Sequence, residues 1–98
     1  MLGFSLLRIY RRLRQMGLVR SQRDFACRFL RRGKTYAKDY GRDGRDMARV
    51  PDKTIGTLRS QLCAIAERVP AGIGAEIANV IEEIDQGCVV ADVIRRGR

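Results

Sequence analysis

Apolar side chains recur at spacings of three and four through most of this chain, and the pattern breaks at Gly17, Gly33, the stretch 41–46, Pro70 and Gly87. That period is the repeat of one face of an α-helix, so the pattern confines the chain to an all-α architecture of five or six short helices. With 98 residues there is material for one modest core, and we expect a single domain over residues 1–98.

The first helix runs within Phe4–Val19, where Leu6, Ile9, Tyr10, Leu13, Met16 and Leu18 mark the inner stripe. Gly17 predicts its stop between Met16 and Arg20. Ser21 opens the sequence Ser21-Gln22-Arg23-Asp24, a capping-box-like start in which the Ser21 hydroxyl accepts from a backbone N–H near Asp24. A second helix of about nine or ten residues follows with Phe25, Ala26, Phe29 and Leu30 inside, too short to hold without tertiary packing. Gly33 breaks it, and a third helix spans Lys34–Tyr40, with Tyr36, Ala37 and Tyr40 on one side. Residues 41–46 form a charged, glycine-containing loop. Pro51 and Asp52 start a fourth helix, whose seam Ile55, Leu58, Leu62, Ile65 and Val69 ends at Pro70. The fifth covers 71–86, with Ile73, Ile77, Val80, Ile81 and Ile84 inside. The tail CVVADVIRRGR beyond Gly87 reads as a sixth short helix, with a strand or a continuation of the fifth helix as alternatives.

Charge divides the chain in two. Residues 1–50 carry 14 Lys and Arg against 4 Asp, whereas 51–98 carry 6 basic and 7 acidic side chains. A one-sided field of this kind attracts polyanions, because each cation set near a phosphate releases condensed counterions. The three cysteines, Cys27, Cys63 and Cys88, are far apart, without a CxxC pair and without any histidine. Neither a disulfide framework nor a metal site is expected from them, and we expect them as buried small residues in a reducing, cytoplasmic compartment. The absence of histidine removes the commonest general base, and Glu82, Glu83 and Asp85 fall within one turn of a polar face. The expectation is therefore no enzyme and no cofactor. No apolar run is long enough to span a bilayer, and no membrane partner is expected. An Arg-rich, acid-free start such as residues 1–20 is also how a transit peptide reads, but it fits an ordinary basic first helix as well.

Residues 21–40 read SQRDFACRFLRRGKTYAKDY. This segment resembles the phage-repressor-like helix-turn-helix family, whose first motif helix begins Ser/Thr-Gln and continues with two variable residues, a large apolar residue and Ala. Those places are taken by Ser21, Gln22, Phe25 and Ala26. In the turn the chain departs from the pattern. The family's glycine falls at Leu30 or Arg31, depending on whether one residue is inserted, and the Ser/Thr cap of the second motif helix is replaced by Arg32 or Gly33. Gly33 is a candidate turn glycine in a longer turn.

The resemblance implies a helix-turn-helix built from helices two and three, acting as a sequence-specific double-stranded DNA-binding protein, a small bacterial or phage-type transcriptional regulator. Lys34, Thr35 and Lys38, with Arg32 at the turn, are the candidates for the major groove. Gln22 and the arginines Arg8, Arg11, Arg12, Arg42 and Arg45 are the candidates for phosphates. The near-neutral second half, residues 71–94, is the candidate homodimer contact, with Val89, Val90, Val93 and Ile94 as its apolar surplus. The competing readings are an RNA- or acidic-protein-binding module without sequence readout, and a peripheral membrane protein docking through residues 1–20.

Overall fold

The structure is a computed structural model, which describes residues 1–41 and 47–96, the last six of them by backbone alone. Five helices appear among the described residues. They are α1 (Gly3–Gln15), α2 (Gln22–Asp24, continuing as a π-helical turn over Phe25–Phe29), α3 (Tyr36–Asp39), α4 (Asp52–Ala66) and α5 (Ala71–Arg96). The chain is all-α, and an isolated antiparallel bridge between Leu2 and Arg49 is the extended pairing among these residues.

Helix α1 buries Leu6, Ile9, Tyr10 and Leu13. Its stop is the one the sequence predicts. Gly17 takes φ 79°, its N–H donates to the Arg14 carbonyl, and the Leu18 N–H reaches back to the Leu13 carbonyl at 3.0 Å. These paired bonds satisfy carbonyls that a helix end would otherwise leave open, and the left-handed residue they require is tolerated best by glycine. At its other end the Gly3 N–H donates to the Ala48 carbonyl at 2.8 Å, and Val50 donates to the Met1 carbonyl at 2.9 Å. The segment entering α4 thereby holds the start of α1.

Helix α2 is capped by Ser21, whose Oγ accepts from the Asp24 N–H at 3.1 Å. The Asp24 carboxylate accepts in return from the Arg20 N–H at 3.0 Å. Beyond Asp24 the winding loosens. The Leu30 N–H bonds the Phe25 carbonyl, and the Arg32 N–H bonds the Ala26 carbonyl at 2.9 Å. The left-handed residue that ends the helix is Arg31, at φ 52°, rather than the expected Gly33. Helix α3 is one turn long, two residues shorter at its start and one at its end than the sequence suggests, and Lys34 and Thr35 lie in the turn before it.

Helices α4 and α5 form the long hairpin of the molecule. Ile55, Leu58 and Leu62 are buried against Ile77, Val80 and Ile84, while Ile65, Val69 and Ile81 are partly covered. Ile73, expected inside, is exposed near the start of α5. Helix α5 continues without a break through Gly87, so the tail is a continuation of α5 and not a sixth helix. Glycine weakens a helix by roughly 1 kcal/mol relative to alanine but keeps its N–H, so flanking turns carry the winding through. Its smallness is used here, because a Cβ at Gly87 would stand 3.4 Å from the Met1 side chain.

One cluster of buried side chains joins the two parts. It runs from Leu6, Ile9 and Leu13 through Phe25, Ala26, Phe29, Ala37 and Tyr40 to Leu58, Leu62, Ile77 and Ile84. Phe25 sits between Tyr10 and Phe29, with ring centroids 5.6 and 6.1 Å away, spacings at which aromatic pairs attract. Cys27 and Cys63 are exposed and Cys88 is half-buried. The expectation of buried thiols fails for Cys27 and Cys63, each one position off the inner stripe beside buried Ala26 and Leu62, while Cys88, four residues after Ile84, packs partly against the core.

Candidate nucleic-acid interface

The basic side chains of the first half separate into two sets. One set is spent inside the molecule. Arg12 reaches Glu83 on α5 at 2.7 Å, Arg28 pairs with Asp24 and Arg49 with Asp52. Arg32 donates from Nε and Nη2 to the hydroxyl of Thr54, at 3.2 and 3.0 Å, and lies over the Tyr36 ring at 5.5 Å. Thr54 is a buried polar residue of α4, so this bond is also how its hydroxyl is satisfied. Arg31 lies against the Gln61 amide, and with that amide turned so that its oxygen faces the guanidinium, the oxygen accepts from Nε and Nη2 at 3.1 and 3.0 Å.

The other set faces outward together. A trough of about 900 Å³ is lined by Tyr10, Arg11, Arg14 and Gln15 of α1, Ser21, Gln22 and Arg23 at the start of α2, and Lys38 of α3. Arg11, Arg14, Arg23 and Lys38 take part in none of the ion pairs formed among the described residues. Among the described residues no carboxylate lines the trough. Asp24, next to Arg23 in sequence, is directed elsewhere. The Arg20 backbone N–H holds its carboxyl below the ordinary value, partial burial opposes this, and the Arg28 guanidinium lowers it further. Four cations that have no counter-ion among the described residues, gathered on one concave surface, make a region of positive potential.

No family model, no curated protein and no solved structure matches the chain.

Of the residues singled out from the sequence, Arg11, Gln22 and Lys38 are in the trough. Lys34 and Thr35 are exposed at the turn between α2 and α3. Arg8 is exposed but lines a different groove of about 240 Å³ between α1 and α5, with Phe4, Glu83, Gln86 and Val90. Two of these residues have partners within the molecule: Arg12, its side chain 36% exposed, bridges α1 to α5 through Glu83, and Arg32, an exposed residue, donates to Thr54. Arg42 and Arg45 lie outside the described residues. Sequence reasoning missed Arg14 and Arg23. Helical period was the available signal for Arg14, since Arg11, Arg14 and Gln15 are spaced three and four apart on one face, while Arg8 and Arg12 share another. Among the described residues no helix is long and apolar enough to cross a membrane, and no cluster of side chains is suited to hold a metal ion.

Proposed function

We propose that this protein binds double-stranded DNA through the corner formed by α2 and α3, as a small sequence-reading regulator acting in the cytoplasm. The observation that carries the reading is the sorting of the cations. Arg12, Arg28 and Arg49 are held in ion pairs, whereas Arg11, Arg14, Arg23 and Lys38 form none among the described residues and converge on one concave surface beside the corner. Supporting it, Ala26 is fully buried where two helices cross, and Phe25, Phe29 and Tyr40 fill the angle. The left-handed residue falls at Arg31, one of the two places open to the family's glycine, and the π turn before it is wide enough to absorb one inserted residue.

The reading element in this proposal is the turn carrying Lys34 and Thr35 together with the single helical turn of α3, so few side chains reach base edges from one copy. Pairing of two copies on two half-sites supplies the rest. The second copy docks through α5. Val89 and Val90 are exposed there at 62% and 53%, in the half whose charge is close to balanced, away from the repulsion of the basic half.

Fluorescence polarisation with duplex DNA, single-stranded RNA and anionic vesicles, each at two salt concentrations, tests the reading. Duplex DNA is expected to bind tightest, and Lys34→Glu is expected to reduce discrimination between duplex sequences. Tighter binding to RNA or to vesicles would overturn the proposal.

A further inference from the structure

We infer that the trough between α1 and the α2–α3 corner is a clamp for the phosphodiester backbone of one DNA strand, with Arg14 and Arg23 as its principal contacts. This assignment rests on the duplex-binding reading and adds to it a division of labour. Lys38 belongs to the backbone site, and the base edges are left to Lys34 and Thr35 on the neighbouring turn.

The trough is open along its outer side and walled by two separate elements, α1 and the start of α2, with Lys38 of α3 between them. An open, two-walled groove suits a strand lying along it better than a small molecule, which would have to be enclosed on most of its surface. The donor set fits phosphate oxygens. Three of the four cations are arginines, whose planar forks donate two parallel hydrogen bonds to one anionic group, and Gln15 and Gln22 add neutral amide donors. The walls are firm at their base. Tyr10 and Ile9 are buried in the core beneath α1, and the Tyr10 hydroxyl accepts from Arg14 at 3.5 Å, a long contact that leaves the guanidinium's other donors available. Asp24, the acid that would otherwise neutralise Arg23, is held by the Arg20 N–H and by Arg28. Among the described residues no acid lines the trough, and the capping network of α2 keeps Asp24 on Arg20 and Arg28.

The test is the salt dependence of binding to a fluorescein-labelled, mixed-sequence duplex of about two dozen base pairs. Each phosphate contact contributes about 0.9 to the slope of log K against log salt. The double variant Arg14→Gln/Arg23→Gln is expected to lose about 1.8 from that slope while keeping the circular-dichroism signal and melting temperature of the parent, since both side chains are exposed. Arg59→Gln/Arg68→Gln removes the same charge from α4 and the turn after it, remote from the trough, and is expected to change the slope by less than about 0.3. If the parent binds duplex DNA and the Arg14/Arg23 variant keeps its slope, the clamp is wrong and the duplex reading stands. An equal loss of slope in both double variants would likewise overturn the clamp, because it would reduce the effect to net charge. A parent that binds no duplex, or prefers the single strand of the same sequence, would overturn the reading and the clamp together.

Discussion

The first 40 residues and the α4–α5 hairpin are both helical, but different forces hold them. The hairpin is a long amphipathic repeat. Its seam residues bury one another over several turns, and a charged pair such as Arg59–Asp85, with both side chains about half exposed, contributes little beside that burial. In the basic part, α2 and α3 are too short to persist alone and depend on specific local devices. These are the glycine-terminated end of α1, the Ser21–Asp24 cap, the π turn, the left-handed Arg31 and the Arg32–Thr54 bond. A region made in this way sets side chains at defined places on its surface, at the cost of being easily disturbed by single substitutions.

The comparison breaks most severely if the core is cut. Phe25→Ala is expected to cost about 3–5 kcal/mol and Leu62→Ala about 2–5 kcal/mol. Because both residues belong to one cluster, each variant should unfold in a single transition when followed by urea denaturation. A Phe25→Ala protein that retained a separately melting hairpin would show the two regions to be independent. Next in size is the end of α1, where Gly17→Ala forces a side chain into a left-handed backbone and is expected to cost about 1–2 kcal/mol. The same substitution at Gly56, in the middle of α4 with open space around it, should stabilise by up to about 1 kcal/mol. Opposite signs for one chemical change, read as melting temperatures, would sharpen the contrast between the regions.

Arg31 offers a finer test. Arg31→Val places a β-branched side chain at φ 52° and should destabilise by about 1 kcal/mol relative to Arg31→Gly, in which relief of strain offsets the lost Gln61 contact. The smallest effect is that of acid on α2. The Asp24 carboxyl titrates below its unfolded value, so the stability it confers is fully present above about pH 4 and is lost as pH falls through its folded value. In a plot of stability against pH, the change seen below about pH 4 should be smaller in Asp24→Asn than in the parent.

Much of the fold was legible because its signals are local. The stripe of α1, the glycine stop, the Ser21 cap and the α4 seam follow from spacing alone. Gly87 was misleading for a physical reason, since a helix continues through glycine when neighbouring turns support it, and what the glycine supplies is room for a side chain far away in sequence. Arg31 was equally hidden, because no propensity places a left-handed residue on an arginine with Gly33 two positions away. In the site, the collective excess of charge could be read, but its allocation could not. Whether an arginine meets Glu83, Thr54 or solvent depends on which helix crosses which, and Arg12 and Arg14 differ by half a turn of one helix.

The exposed thiols of Cys27 and Cys63 place a reactive handle on each of the two regions. Maleimide reagents should modify both without denaturant, and Cys88 more slowly, so a Cys88→Ser chain labelled with a dye or spin pair reports the distance between the α2 corner and the hairpin directly. The same thiols allow air oxidation to link one chain to another through a disulfide. A covalent pair formed in this way would run as a dimer by mass while bearing no relation to α5, and adding a reductant separates the two cases.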